Sequence, residues 1–140
     1  MQFPEIIATA AAILMILWLF LMLSVAMYRA KAQIGTGYGN DQNLERVSRR
    51  HGNLAENTSL FLITLALLQL RIDSTTVVFV LATIFVVARL GHAIGFPSLA
   101  GSQLSQGSKF FQLMRMLRAG LSAVSSFATA SYLLFSVISA

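Results

Sequence analysis

The chain has 140 residues, of which 56% are hydrophobic and only 11% are charged, and its formal net charge is +5. Soluble domains carry about 25% charged residues, so this composition excludes a disordered chain and an ordinary soluble domain and indicates an integral membrane protein. The chain has no cysteine and two histidines, so we expect no disulfide, no cysteine nucleophile and no metal site. We also expect no nucleic-acid partner, because the cations flank apolar runs and follow membrane topology.

The first predicted element is a transmembrane helix over about residues 5–29. Residues 6–28 contain no charge, which is long enough to cross a bilayer. Glu5 precedes this run and no cation does, unlike in a signal peptide. Three glycines between positions 35 and 39 then predict a loop, and Asp41 or Asn43 is expected to cap the next helix.

Three further helices are predicted at about 44–71, 74–96 and 109–139. The uncharged part of the second helix is too short to cross a bilayer alone, so the polar residues before it must be helical as well. The very short turn before residue 74 makes the second and third helices antiparallel neighbours, and Pro97 ends the third. Small residues are dense in the fourth helix, which suits close helix contact in lipid. We predict a single all-α domain over 1–140, a bundle of four transmembrane helices.

The distribution of cations predicts the orientation. One cation, Arg71, lies at the connection between the second and third helices. The other nine lie on the opposite side of the membrane, towards the first and third loops. Those nine are Arg29, Lys31, Arg46, Arg49, Arg50, Arg89, Lys109, Arg115 and Arg118. The positive-inside rule therefore places loops 1 and 3 in the cytoplasm and both termini outside.

A polar stripe runs along the start of the second helix. Arg46, Arg49, Asn53 and Glu56 follow each other at spacings that place them on one stripe of a helix. Counting from the opposite turn puts Glu56 and Arg89 at similar depths just inside the hydrocarbon boundary, so we predict a structural ion pair between them. For this pair alone, a structural role and a functional site are equally favoured. The whole stripe favours a polar site at the cytoplasmic mouth, because anchoring does not require Asn53 on that face.

Four more polar residues have both a structural and a functional interpretation. Arg115 and Arg118 lie three residues apart at the start of the fourth helix, where one of them is expected to be a topology anchor. His51 and His92 are candidates for proton carriers, although a lone helical histidine is more often a hydrogen-bonded packing residue.

The polar stripe also carries a family resemblance. Residues 44–56 read LERVSRRHGNLAE and are followed by Leu60-Phe61-Leu62. The run resembles the pattern E-R-V-x-R-x-x-x-N-x-x-E of the MAPEG superfamily, membrane-associated proteins in eicosanoid and glutathione metabolism. The segment at 88–92, ARLGH, is similar to that family's A-R-x-x-[HY] segment. Arg115-Met116-Leu117 stands where the family has its helix-four arginine.

The resemblance implies a homotrimer with a glutathione site between neighbouring subunits. By position it implies that the residues contacting glutathione are Arg29, Arg49, His51, Asn53, Glu56 and His92. It further implies that Arg115, with Arg118 as runner-up, is the catalytic residue that holds the glutathione sulfur as thiolate. The sequence departs from catalytic and eicosanoid-type members at Asn57, His92 and Phe96, where those members have tyrosines.

We interpret the chain as a bacterial-type microsomal glutathione transferase, with peroxidase activity as a further option. Glutathione would be the co-substrate, and a lipophilic electrophile would arrive from membrane lipid at the cytoplasmic face of a bacterial inner membrane. The alternative is a non-catalytic subunit of the same fold that packs in a larger membrane complex. That alternative is motivated by the missing tyrosines and the small residues of the fourth helix.

Overall fold

A computed structural model describes residues 4–94 and 109–139, apart from the side chains of 94, 109–115, 117 and 118. Its helices are α1 (Glu5–Ala32), α2 (Gln42–Arg71), α3 (Thr75–Ile94) and α4 (Lys109–Ile138). The predicted all-α class with four helices is confirmed. Helix α1 runs almost one turn beyond its predicted end. The predicted end of α3 at 96 and its stop at Pro97 lie outside the described residues.

Contacts between helices show that the chain runs up and down. In the half of the bundle that carries the α1–α2 loop, Arg89 of α3 reaches both α2 and α4, and Trp18, midway along α1, contacts His51 of α2. At the opposite end, Arg71 donates from Nη2 to the backbone carbonyl of Ser136 in α4 over 2.9 Å. Helices α2 and α4 are therefore parallel to each other and antiparallel to α3. We call the end that carries residues 33–41 the loop-1 end.

The described helices identify an integral membrane protein. Three of them contain a stretch long and apolar enough to cross a membrane: Glu5–Ala32, Thr75–Ala93 and Ala119–Ile138. Helix α2 is long enough to cross a membrane, about 45 Å at 1.5 Å per residue. It is not among these three candidate spans, because its first half is charged and polar. This is the asymmetry that the sequence predicts, an apolar second half and a polar first half within one continuous helix.

Helix α4 is polar towards the bundle and apolar towards its surroundings. Ser122, Ser125 and Thr129 are buried, whereas Phe127 and Phe135 are 76% and 67% exposed. Such a distribution suits lipid, because the hydroxyls of Ser125 and Thr129 donate to backbone carbonyls one turn earlier in α4, and the large apolar side chains can face acyl chains. The predicted close contact of small residues therefore holds for the serines, while Gly120 is exposed and a Cβ there would meet no atom within 4 Å.

The centre of the bundle is an aromatic stack between α2 and α3. The rings of Phe61 and Phe85 lie nearly parallel, 7° apart, with centroids 3.7 Å from each other. Phe85 is fully buried and Phe61 is 4% exposed. The guanidinium carbon of Arg89, one turn after Phe85, lies 5.3 Å from the centroid of the Phe85 ring. The apolar core thus continues directly into a buried charge towards the loop-1 end.

Two side chains fix the loop between α1 and α2. The Asp41 carboxylate caps α2, accepting from the backbone N–H groups of Asn43 (2.8 Å) and Leu44 (3.1 Å). The Tyr28 hydroxyl donates to the same carboxylate over 3.0 Å and so ties the end of α1 to the start of α2. Of the two caps that the sequence leaves open, Asp41 is the one the structure shows.

Asp41 makes the stability of this loop depend on pH. The hydrogen bond from the Leu44 N–H, joined by those from Tyr28 and Asn43, lowers the pKa of Asp41. Its contribution to stability is therefore complete above the unfolded-state pKa of about 3.9 and is lost as the pH falls through the lower native value. We therefore expect the melting temperature in detergent to decrease as the pH is lowered below about 4. In the Asp41→Asn variant this decrease at acid pH should be smaller.

The amide oxygen of asparagine caps a helix nearly as well as aspartate. The Asp41→Asn variant should therefore melt close to the native protein at neutral pH. Asp73→Asn, in the turn at the other end of the bundle, is the control for removing a carboxylate. If the decrease of the melting temperature at acid pH were unchanged in Asp41→Asn but smaller in Asp73→Asn, Asp41 would not be the group responsible.

Candidate site at the loop-1 end of the bundle

An exposed pair of opposite charges lies on the first half of α2. Nη1 of Arg49 is 3.6 Å from Oε1 of Glu56, two helical turns later. Their side chains are 62% and 59% exposed, so the other helices of the same subunit leave both groups uncovered. The pair offers a cation and an anion side by side, which is what a zwitterionic ligand requires.

Asn53 lies between these two residues along the helix but faces the bundle. Its side-chain oxygen accepts a hydrogen bond of 2.9 Å from Nη1 of Arg89 in α3. Asn53 is half-buried, and this hydrogen bond ties its amide to α3. The stripe predicted from helical spacing is thus divided between an exposed edge and an inner edge.

Arg89 joins three helices in the interior. It is 4% exposed and donates from Nη1 to Asn53 of α2 and from Nη2 to the hydroxyl of Ser122 in α4. Its Nε is buried and makes no hydrogen bond to a described residue. Both acceptors are neutral, and no carboxylate of the described residues lies within 4 Å of the guanidinium, so it is hydrogen-bonded there without an ion pair.

The predicted ion pair between Glu56 and Arg89 is wrong. Glu56 pairs with Arg49, and Arg89 binds Asn53 and Ser122. Counting residues from the turn puts Arg89 level with the stripe, and Arg89 does contact Asn53 there, but the count ignores rotation about the helix axis. Glu56 is turned about 60° from Asn53 on α2, and that rotation takes its carboxylate out of the bundle.

Arg29 is bound to its own loop. Its Nη1 donates to the carbonyl of Gly37 over 2.9 Å and, more weakly, to those of Gly35 and Ile34 at 3.4 and 3.5 Å. These carbonyls follow the end of α1, where unpaired acceptors favour a cation. The predicted contact of Arg29 with a ligand stays a prediction, and it would require the side chain to be shared with or released from this loop.

The two histidines lie on other faces. The His51 ring packs against Trp18 of α1 with centroids 5.3 Å apart, on the side of α2 opposite to Arg49. Its Nε2 is buried and has no hydrogen-bond partner within the described part of the chain. His92 is half-buried in α3, one turn after Arg89. The structure places the His51 ring away from the Arg49–Glu56 pair, and the ligand contacts predicted for both histidines stay predictions.

The catalytic candidates cannot be placed as side chains. Arg115 and Arg118 belong to the helical part of α4, but their side chains lie outside the described residues. Arg115 is two turns before Ser122 along the same helix, so the Arg89–Ser122 hydrogen bond holds α4 close to this region.

An apolar groove runs between α1 and α2, on the side of α2 opposite to the polar stripe. Its volume is about 340 Å³, and Trp18 and Leu54 lie at its loop-1 end. The remaining lining residues are small or apolar: Ala11, Leu14, Met15, Ala55, Thr58, Ser59 and Leu62. An alkyl or aryl group entering from the membrane would find a non-polar surface here.

Sequence reasoning missed Ser122. The sequence marks it only as one of many small residues of the fourth helix, whereas the structure shows it as the α4 partner of Arg89. A usable signal was present, since Ser122, Ser125 and Thr129 repeat at helical spacing and mark one polar face. What the spacing does not encode is which helix that face meets.

Comparison with known proteins agrees with this architecture. The model of the MAPEG family matches residues 7–138, nearly the whole chain. No curated protein and no solved structure matches the chain. With four helices in the expected order, a charged stripe at the start of α2 and a family match from end to end, the chain belongs to the MAPEG family.

Proposed function

We propose that this protein is a glutathione-dependent membrane transferase that joins the glutathione sulfur to lipophilic electrophiles. Two things support the proposal: membership of the MAPEG family and the chemistry of the polar stripe on α2. The transferase activity, the thiol co-substrate and the residue roles below are all part of the proposal.

The observation that carries it is the Arg49–Glu56 pair. Glutathione has an α-amino acid head in which an ammonium and a carboxylate are adjacent. Arg49 and Glu56, 3.6 Å apart and both exposed, offer the complementary charges at the matching separation. Asn53 adds an amide one turn from either residue, as required for a peptide carbonyl or second carboxylate.

The same exposure supports a homotrimer as part of the proposal. The charged pair continues along α2 into large apolar side chains that are also exposed, including Leu60 at 72% and Ile63 at 59%. An ionised side chain that faces lipid costs about 2.5–3.5 kcal/mol or more at the bilayer centre and less near the boundary, where the sequence places this pair. A neighbouring subunit covering this face of α2 would remove that cost and complete a site between subunits.

The proposed reaction needs a cation near the sulfur. A thiol with a pKa of about 8.5 must lose its proton to become a good nucleophile. Arg115 is the candidate that favours the thiolate, with Arg118 one turn later as runner-up. The thiolate then forms a carbon–sulfur bond with the electrophile, and the leaving group departs with its electron pair.

The proposed setting is a bacterial inner membrane with loops 1 and 3 in the cytoplasm and both termini outside. The support is the excess of cations at the loop-1 end. Cytoplasmic glutathione would then reach the stripe from water, while the electrophile would arrive from lipid.

A second candidate is a non-catalytic subunit of a larger membrane complex. Its support is Asn57, which stands where catalytic relatives have a tyrosine. The Nδ2 of Asn57 donates to the backbone carbonyl of Asn53 over 2.8 Å, within its own helix. Asparagine has no hydroxyl to offer a ligand, and this amide N–H is already used within the helix.

The test is a glutathione titration of the detergent-purified protein by calorimetry, with ultraviolet absorbance of the thiolate as a second signal. The transferase proposal expects saturable binding with thiolate formation, lost in Arg115→Ala or Arg118→Ala, and conjugation of an activated aryl chloride. Binding without thiolate would favour the non-catalytic candidate. No binding at millimolar glutathione, with co-purification of another membrane complex at fixed stoichiometry, would replace the transferase by that candidate.

A further inference from the structure

The amide of Asn53 has one orientation that its neighbour permits. A guanidinium carries donors and no acceptor. The atom of Asn53 that lies 2.9 Å from Nη1 of Arg89 must therefore be the amide oxygen. Its Nδ2 group makes no hydrogen bond to any residue in the described ranges, which leaves two N–H donors for another partner.

Arg89 cannot easily turn away to release that oxygen. It is 4% exposed, is bound on its other side by the Ser122 hydroxyl and lies over the Phe85 ring. Within 4–94 and 109–139, no carboxylate lies within 4 Å of its guanidinium. The inner edge of the site thus presents N–H donors and an unpaired positive charge, both of which favour an acceptor or an anion.

We propose that Arg89, held by Ser122, is a positioning residue that fixes Asn53 as a hydrogen-bond donor to the ligand. The thiol tripeptide then binds in one direction. A carboxylate or peptide carbonyl faces Asn53 at the inner edge, and the ammonium faces Glu56 at the exposed edge. This inference rests on the proposed function, because it assigns the polarity of the same site.

The decisive variant is Asn53→Asp, which keeps the shape of the side chain and the bond from Arg89 but removes both N–H donors. A carboxylate beside a buried, unpaired guanidinium should leave the melting temperature unchanged or raise it. The dissociation constant for glutathione, measured by calorimetry, should rise at least about tenfold because an acceptor now faces an acceptor.

The matched control is Gln42→Glu, also an amide-to-carboxylate substitution, at the exposed start of α2. It adds an equal charge at the same end of the bundle without touching Asn53 or Arg89. We expect its dissociation constant to change by less than about threefold, as for an exposed charge that solvent screens. Equal losses in both variants, or no loss in Asn53→Asp, would overturn the inference.

Arg89 itself is tested through its coupling to Asn53. Arg89→Met removes the donors and lets the amide rotate, so it should weaken glutathione binding, and Arg89→Lys should restore part of the loss. If Arg89 acts through Asn53, adding Asn53→Asp to Arg89→Met should cost much less affinity than Asn53→Asp alone. Fully additive losses would assign Arg89 a separate structural role and overturn the inference.

The same titrations separate the proposed function from the inference about Asn53 and Arg89. If the native protein binds no glutathione, the proposed function is overturned, and so is the proposed orientation of the bound ligand. If the native protein binds glutathione and Asn53→Asp binds it equally well, the function stands and the inference about Asn53 and Arg89 is overturned alone.

Discussion

Replacing Phe85 with alanine is expected to destabilise the bundle by about 2–3 kcal/mol. Phe85 is fully buried and stacks on Phe61 with centroids 3.7 Å apart. In water, part of this cost is the free energy of transferring the phenyl ring out of the protein interior. In a bilayer that part is small, because the ring has nearly the same free energy in lipid as in the protein interior. What remains is the cavity, the lost dispersion contacts and the ring surface beneath Arg89. The free energy of unfolding, measured in bicelles with and without the substitution, checks this value.

Phe79 provides the matched control for Phe85. It lies in the same helix and is 57% exposed, so Phe79→Ala leaves no closed cavity. We expect its unfolding free energy to change by less than about 0.5 kcal/mol. Similar losses in the two variants would show that the aromatic stack is not the centre of the bundle's stability.

Replacing Arg49 with alanine is expected to weaken glutathione binding by roughly 10–100-fold. A charge-assisted hydrogen bond to a carboxylate contributes about 1.5–3 kcal/mol, and this variant also leaves Glu56 without its cation. The fold should lose little, since a pair this exposed stabilises a protein by at most about 1 kcal/mol. Calorimetric titration beside a melting curve separates the two effects.

Lys31→Ala is the control for removing one positive charge at the loop-1 end. Lys31 is exposed near the end of α1, and its loss changes the local potential without removing a proposed contact. Its effect on affinity should be small and should vanish at high salt. If Lys31→Ala weakened binding as much as Arg49→Ala, the contribution of Arg49 would be a general field rather than a direct contact.

The helices were predictable because their signals are local. Uncharged runs set the length of α1 and α4, and the short uncharged part of α2 forced its polar half to be helical. Helical spacing also put Arg49 and Glu56 on one stripe, and the structure brings them to 3.6 Å. These inferences use only the period of a helix and the thickness of a bilayer.

The partners across helices were not predictable in the same way. Depth along the membrane can be counted from a turn, but rotation about the helix axis depends on how all four helices pack. That is why Arg89 was paired with Glu56 instead of Asn53 and Ser122. The Tyr28–Asp41 hydrogen bond was missed for a related reason, since it depends on the path of a nine-residue loop, 33–41.

The contact between Trp18 and His51 has a practical consequence. Trp18 is the sole tryptophan of the chain, and its ring lies 5.3 Å from His51 at the loop-1 end of the apolar groove. Its fluorescence therefore comes from a single place, the seam between α1 and α2. Emission from the unlabelled protein would report any widening of that seam, so the arrival of a hydrophobic compound could be followed optically in real time without a chromophore on either molecule.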